Sequence, residues 1–454
     1  MNREQPGLMV ILDGLGDRPV AELAGQTPLE AALTPHLDQL AEQGLTGLVD
    51  PIAPGIAVST DVGVGQLMGF FPSMAKVPAR GVVEAAGIGW PLQAGDVALR
   101  CNFATVQLQD LAQKSSDRPA LGDPSTERPS SNPWRIIDRR AGRIQPPDTV
   151  ALAETLNREM GVWQGIGVRI KAATGHRAVM LLRGKGLSAD ITDADPGAGG
   201  EGAGVLACLP QPGKSTEASW KAAEAVNQFV KRSFDLLWDH PINRRRLEEG
   251  LLPGNILLPR KAGGAWSGRG VLGSLGLKGA VVAGERTVIG LGRLLGFKVL
   301  TDARFTGGIK TDLEAKVKMA LVALKTHDLV FLHIKGPDLF AHDGHPLGKK
   351  KVIEQIDQAL APLVRISGKA CIAIAADHTT PSATGRHSGD PVPVILVSPN
   401  QPGDGVSLYG ERACRDGGLG RLAAHGFLQR LLSTMGVNSL NLQEKKLFTT
   451  RLKE

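Results

Sequence analysis

One tyrosine and an aromatic share of only 4% are all that this 454-residue chain offers for base stacking. Nor is there a block of five or six consecutive basic residues. The net charge of +7 therefore suits a small phosphorylated substrate better than a nucleic-acid track, and no nucleic-acid partner is expected. The four cysteines, Cys101, Cys208, Cys371 and Cys414, form no CxxC pair, which argues against a thiolate metal site and for a reduced compartment. No run approaches the roughly 20 apolar residues of a membrane span, so no membrane partner is expected. The opening Met1–Gly7 is polar, and the apolar run Leu8–Leu12 is too short for a secretory core. The expected location is cytoplasmic.

What is present in quantity is glycine and proline, 57 and 29 residues, as befits an α/β enzyme whose site is built from loops. Leu8–Leu12 reads as a buried strand ended by Asp13-Gly14, and Thr34–Gln43 as a helix with Pro35 at its first position. Toward the far end come helices over Thr311–Lys325, Lys349–Val364 and Gly420–Met435. Between them lie strands over Leu329–Leu332, Ala370–Ala375 and Val392–Val397. Such alternation predicts a mostly parallel sheet flanked by helices. Residues 81–257 differ in texture: an arginine-rich loop at 138–144, the strand Ala178–Leu182, a glycine loop at Pro196–Gly204 and a long helix Glu217–Trp238. They read as a smaller α/β domain inserted into a discontinuous one made of 1–80 and 258–454. Gln109–Pro133 reads as a surface excursion and Lys261–Gly270 as a linker.

Three aspartates fall at the C-terminal ends of these strands, where open parallel sheets bind ligands: Asp13, Asp338 and Asp377. Asp338 and His342 stand four apart, on one face of a helical turn, so a carboxylate and an imidazole can converge on one cation. Asp377-His378 follows an apolar strand, and both can reach one site only where the strand gives way to a loop. His387 can fold back over that loop. Ser59-Thr60-Asp61 has the look of a helix cap, yet a hydroxyl beside a divalent cation is also a nucleophile. Gly290-Leu-Gly292-Arg-Leu-Leu-Gly296 imitates a dinucleotide fingerprint with the wrong final spacing, and helix packing is the better account.

Asp13-Gly14, Thr60-Asp61, Lys335-Gly-Pro-Asp338-Leu-Phe-Ala-His342-Asp-Gly344, Ala376-Asp-His-Thr-Thr-Pro381 and His387-Ser-Gly-Asp-Pro-Val-Pro393 together resemble the cofactor-independent phosphoglycerate mutases of the archaeal type, within the alkaline phosphatase superfamily. Leu99–Thr105, the arginine loop and His240-Pro-Ile-Asn243 extend the likeness over nearly the whole chain. The resemblance implies an alkaline-phosphatase-like sheet and two divalent metal ions. Asp13, Thr60, Asp377 and His378 would hold one, and Asp338, His342 and His387 the other. Manganese is the metal that the family implies, with Zn²⁺ and Mg²⁺ compatible with the ligand types. No bisphosphoglycerate would be needed.

The implied reaction is glycolytic: 3-phosphoglycerate passes its phosphoryl group to Thr60 and receives it back on the neighbouring hydroxyl. Arg100, Arg139, Arg140 and Arg143 are the expected partners of the substrate's anionic groups, with Lys335 beside the metals. The chain departs from the family pattern at the nucleophile, where Val-Ser-Thr60-Asp replaces Pro-Gly-Ser-Asp. That leaves Ser59 as the competing hydroxyl. The rival reaction at the same residues is a metal-dependent phosphomonoesterase, or a phosphotransferase acting on another alcohol such as homoserine.

Overall fold

The computed structural model describes residues 5–70, 78–108, 133–197, 199–266 and 271–437. The chain forms two compact units, one of Met1–Val77 with Gly268–Glu454 and one of Pro78–Ser267. In chain order, β1 (Gly7–Leu12) and β2 (Leu45–Asp50) belong to the first unit. The second unit holds β3 (Val97–Leu108), β4 (Trp134–Asp138), β5 (Val162–Trp163), β6 (Ile166–Ala172), β7 (Arg177–Arg183) and β8 (Ile256–Gly264). The first unit resumes with β9 (Gly279–Val282), β10 (Lys298–Leu300), β11 (Leu329–Ile334), β12 (Cys371–Ala375), β13 (Val392–Val397) and β14 (Gly420–Ala423).

The first unit is built on one eight-stranded sheet of order β10-β9-β11-β1-β12-β13-β2-β14. Only β13 runs against its neighbours; every other pairing is parallel. β1, β11 and β12 lie side by side and are buried along their whole length, as continuous apolar strands covered on both faces must be. Their register sets Leu12 against Ile334 and Ile11 against Ala375, so three chains leave the sheet at one edge within a residue or two of each other. The sequence puts Asp13, Asp338 and Asp377 just past those exits. That shared edge gathers side chains that are far apart in sequence.

The second unit is antiparallel throughout: a sheet of order β4-β3-β7-β6-β5, with β8 also on β3. Its long helix, Glu217–Leu237, opens with a capping box between Thr216 and Ser219. The helix buries Phe229, Val230 and Phe234 in a core shared with Phe103, Met180 and Leu257.

Several boundaries differ from the sequence reading. Lys261–Gly264 is not linker but the end of β8, whose pairing with β3 carries the second unit on to Ser267, past the expected end at 257. Gly420–Ala423 opens no helix; it pairs in parallel with β2, and the helix begins at Ala424. The helix expected from Lys349 starts at Pro346, where the His345 ring accepts the Gly348 N–H. The Thr34 hydroxyl bonds the Asp38 carboxylate instead of capping its helix. Gly290 and Gly292 of the dinucleotide-like pattern sit on the helix Arg286–Leu294 and Gly296 lies just past its end; a Cβ on Gly292 would come within 2.5 Å of Val281, so close helix–strand packing explains that residue. Gln109–Asn132 of the excursion lies outside the described residues.

Candidate metal centre

Asp13 follows β1 directly, and its carbonyl accepts the Asp338 N–H at 3.0 Å. Asp338 lies in the first turn of the short helix Gly336–His342, and His342 closes it, so the i,i+4 pair shares a face as its spacing predicts. Asp377 and His378 stand beyond the end of β12, in the loop where adjacent side chains are released from strand alternation. Gly14 makes the approach possible. It is in the left-handed region (φ +63°), and a Cβ there would meet the Asp338 side chain at 2.7 Å.

Thr60 is the first residue of the helix Thr60–Leu67. That helix is seated against the Asp377 loop at Gly63, where a Cβ would fall 2.1 Å from the Asp377 carbonyl oxygen. Thr60 Oγ1 lies 3.4 Å from His378 Nε2. Ser59 is exposed, and its hydroxyl donates to Asp61 Oδ1 at 2.6 Å, away from that contact. Of the two candidate hydroxyls, the structure brings Thr60 to the histidine.

Three imidazoles present Nε2 to the same space. His342 Nδ1 bonds the Gly385 carbonyl at 2.7 Å and His387 Nδ1 the Val58 carbonyl at 2.6 Å. A carbonyl only accepts, so each Nδ1 carries the hydrogen and each neutral ring offers an Nε2 lone pair. The two Nε2 atoms are 3.2 Å apart, and they lie 3.3 and 3.6 Å from Asp338 Oδ1. His378 is held similarly: its Nδ1 bonds Thr380 Oγ1 at 3.0 Å, and that hydroxyl donates to Asp338 Oδ1 at 3.0 Å. With the Thr380 hydrogen committed, His378 Nδ1 must be the donor, which again frees Nε2.

The ligating atoms of Asp338, His342 and His387 form one group within 4.8 Å, and those of Asp13, Asp338 and His378 another. The second trio differs from the expected set by including Asp338. Asp377 is adjacent to it, with Oδ2 3.2 Å from His378 Nε2. Asp13 Oδ1 and Asp377 Oδ2 are buried and have no hydrogen-bond partner among the described residues. Buried carboxylate oxygens left bare beside imidazole lone pairs are what an arrangement for cations requires. The residues fit divalent ions.

The electrostatics agree. Burial alone would lower the His378 pKa, yet the Asp377 carboxylate, aided by Asp13 and Asp338, raises it. Lys335 is likewise held above its ordinary value: burial opposes, but Asp13 and Asp338 prevail. Its Nζ bonds Asp13 Oδ2 at 2.9 Å and Asp338 Oδ2 at 2.8 Å. Burial would raise Asp338, but Lys335 and the histidines hold it well below the usual carboxylate range. His387 is lowered by burial and by the neighbouring His378. The pocket thus has a net negative field with one fixed ammonium at its rim.

Sequence reasoning missed His333 and Thr380. His333 Nε2 bonds Asp13 Oδ2 at 3.0 Å, which leaves Oδ1 as the open oxygen. His333 is a buried residue of an apolar strand and carries no spacing signal, whereas Thr380 follows Asp377-His378 so closely that its hydroxyl was a findable partner.

The arginines of the second unit divide. Arg139 forms a two-point pair with Asp195, at 2.6 and 2.7 Å, so its fork is already engaged. Arg100 is largely but not fully buried, with no hydrogen bond at Nε among the described residues and NH1 3.7 Å from Glu84. Burial and the charges of Arg177 and Arg80 push its pKa well down. Arg260, not singled out from sequence, makes no Nε hydrogen bond among the described residues but lies 3.6 Å from Asp195 Oδ2, and burial lowers its pKa. His176 is driven down to about 3 by burial and by Arg177, Arg140 and Arg100. Arg140 and Arg143 are exposed, and Arg143 adopts a left-handed φ of 60°.

Fold and site together define an α/β enzyme with a carboxylate–imidazole centre suited to divalent cations. A family model described as 2,3-bisphosphoglycerate-independent phosphoglycerate mutase matches residues 41–243. A protein of that name from Methanopyrus kandleri is 40% identical, over 92% of this chain and 94% of its own. Among solved structures, a Pyrococcus horikoshii protein aligns with a TM-score of 0.76 at 30% identity, covering 96% of this chain and 98% of that one. The cofactor-independent phosphoglycerate mutase of Thermoplasma acidophilum aligns with a TM-score of 0.64 at 31% identity, covering 95% and 100%. The chain belongs to the 2,3-bisphosphoglycerate-independent phosphoglycerate mutases.

Proposed function

We propose that the chain interconverts 3-phosphoglycerate and 2-phosphoglycerate through a phosphorylated Thr60, in glycolysis and its reversal. The observation that carries this reading is the approach of the Thr60 hydroxyl to within 3.4 Å of His378 Nε2, at the mouth of a centre with two bare, buried carboxylate oxygens. One cation would be held by Asp13, Thr60, Asp377 and His378, and the other by Asp338, His342 and His387. Bound there, the pair would offset the charge on the phosphoryl oxygens. Manganese is the metal we expect, with zinc and magnesium as substitutes.

In the first step a bond forms between Thr60 Oγ1 and phosphorus while the bond from phosphorus to the C3 oxygen breaks. Thr60 gives up its hydroxyl proton, and the departing C3 oxygen keeps the electron pair and takes up a proton, so the step consumes no net proton. In the second step the C2 hydroxyl attacks phospho-Thr60 and loses its proton, while the threonine oxygen leaves with the electron pair of its bond to phosphorus and takes up a proton. No bisphosphoglycerate enters this balance. Lys335, bonded to both Asp13 and Asp338, supplies a permanent positive charge beside the centre. In the second unit, Arg100 and Arg260 have the chemistry to receive carboxylate or phosphate oxygens, and Arg140 and Arg143 have exposed forks. Arg139, tied to Asp195, would act by orienting this cluster.

The test is to incubate the manganese-loaded protein with 3-phosphoglycerate and follow 2-phosphoglycerate and free phosphate together. Formation of 2-phosphoglycerate without added bisphosphoglycerate supports the mutase. Free phosphate alone would make the protein a phosphatase at the same residues, and transfer to an added alcohol a phosphotransferase.

A further inference from the structure

The helix Pro346–Val364 carries three consecutive lysines, Lys349, Lys350 and Lys351, and swallows the first completely. Lys349 is 0% exposed, and each of its three ammonium hydrogens has an acceptor. These are Gly16 O at 2.9 Å, Asp17 Oδ2 at 2.9 Å and Thr380 O at 3.0 Å. Gly16 and Asp17 belong to the loop that leaves β1 with Asp13. Thr380 belongs to the loop that leaves β12 with Asp377 and His378.

Asp17 completes the junction from its other side. Its Oδ2 accepts the Ser382 hydroxyl at 2.7 Å, and its Oδ1 the Ser382 N–H at 3.0 Å. The Thr380 N–H donates to Gly16 O at 3.0 Å, so the two loops are also bonded directly. Thr380 then carries the junction forward, since its hydroxyl bridges His378 and Asp338. The buried ammonium is thus the hub of a junction that fixes the spacing between the carrier of Asp13 and the carrier of His378, and it reaches His378 and Asp338 through Thr380.

An apolar side chain of the same length would fill this space with less desolvation cost. It could not hold two carbonyl oxygens and a carboxylate at fixed positions. We infer that Lys349, together with Asp17, is a positioning residue that sets the spacing of the cation-binding loops and so the affinity of the centre for divalent metal, without touching cation or substrate. This rests on the reading of Asp13, Asp338, Asp377 and His378 as cation ligands.

The experiment is a calorimetric titration of the full-length, metal-stripped protein with Mn²⁺ in the absence of substrate. Lys349→Met should weaken Mn²⁺ binding by about tenfold, the lower end of the range for partners bonded directly to a ligand, because Lys349 acts through Thr380. Asp17→Asn, which is isosteric, should weaken it by a smaller factor. Leu360→Ala is the control, a buried apolar residue three turns along the same helix. It should lower the melting temperature yet leave Mn²⁺ affinity unchanged within about twofold. At saturating Mn²⁺, Lys349→Met should keep the wild-type KM for 3-phosphoglycerate.

Wild-type affinity in both Lys349→Met and Asp17→Asn would overturn the inference. So would an affinity loss in Leu360→Ala equal to theirs, which would trace the effect to general instability. If Lys349→Met shows no cooperative melt, Asp17→Asn decides alone. Failure of the mutase reading looks different: a wild-type protein that binds Mn²⁺ but leaves phosphoglycerate unchanged refutes the reaction and not the role of Lys349. A wild-type protein that binds no divalent ion refutes both.

Discussion

His342 and His387 face each other with their Nε2 atoms 3.2 Å apart, and each ring has spent its Nδ1 hydrogen on a backbone carbonyl. Two lone pairs at that distance repel unless a cation or a shared proton lies between them. A cation held between them would remove that repulsion, so bound metal should stabilise the fold. Chelation should lower the thermal midpoint, and restoring Mn²⁺ at a hundredfold excess over its Kd should return about 3 kcal/mol per site. His387→Ala should lose one equivalent of bound metal and most of that protection. Unchanged stoichiometry by elemental analysis would remove His387 from the ligand set.

Thr60 and Ser59 are separated by experiment as well as by geometry. Thr60→Ala should abolish the acid-stable phosphoprotein formed from labelled substrate and lower kcat by about 10⁴-fold or more. Thr60→Ser should retain label, and Ser59→Ala should too, because the Ser59 hydroxyl is turned to Asp61. Persistent label in Thr60→Ala would pass the role to Ser59.

Gly63 sets how closely the nucleophile's helix approaches the Asp377 loop. Gly63→Ala places a carbon 2.1 Å from the Asp377 carbonyl oxygen, so helix and loop must separate. A displacement of about 1 Å at a reacting group costs roughly a hundredfold in rate. We expect a fall in kcat of that order with the protein still folded. Wild-type kcat would show that Thr60 need not be held so tightly.

Glu411 gives the stability a predictable pH dependence. Its carboxyl accepts the Asp17 N–H and the Thr27 hydroxyl, and burial pushes it up from 4.5 to about 7. Its contribution is fully present below pH 4.5, where both states are protonated, and is lost as pH rises through 7. The shift corresponds to about 3 kcal/mol. Glu411→Gln should therefore match the wild type at pH 4.5 and exceed its stability by up to that amount above pH 7. Denaturant melts across this window check it, and parallel curves would refute the assignment.

Asp13, Asp338 and Asp377 were legible because an apolar strand followed by an acid is a local pattern, and the sheet needed only to place three such ends together. Asp338 and His342 were legible for the same reason, since four residues is one turn. Lys349 was not: within Lys349-Lys350-Lys351 nothing local separates the buried lysine from the two that are not. Arg260 was hidden between the expected end of the inserted domain at 257 and the stretch from Lys261 that reads as linker, because β8 is defined by its pairing with β3. Gly420–Ala423 was absorbed into the helix that follows, for four residues carry too little period to tell strand from helical turn. The antiparallel character of the second unit also escaped, since pairing direction is set by partners distant in sequence.

The insertion bears on how the chain comes to be folded at all. The segment Pro78–Ser267 is continuous, whereas the other unit is split around it. β1 is synthesised before the insertion, yet both strands that flank it, β11 and β12, follow on the far side of the insertion. Until they arrive, an apolar strand and the helix of Thr60 have no sheet to join, and closing so long a loop makes their docking intrinsically slow. The continuous unit can mature meanwhile. The nascent enzyme should thus pass through a state with its insertion formed and its catalytic half still open, the stage at which β1 is exposed to aggregation and chaperone capture.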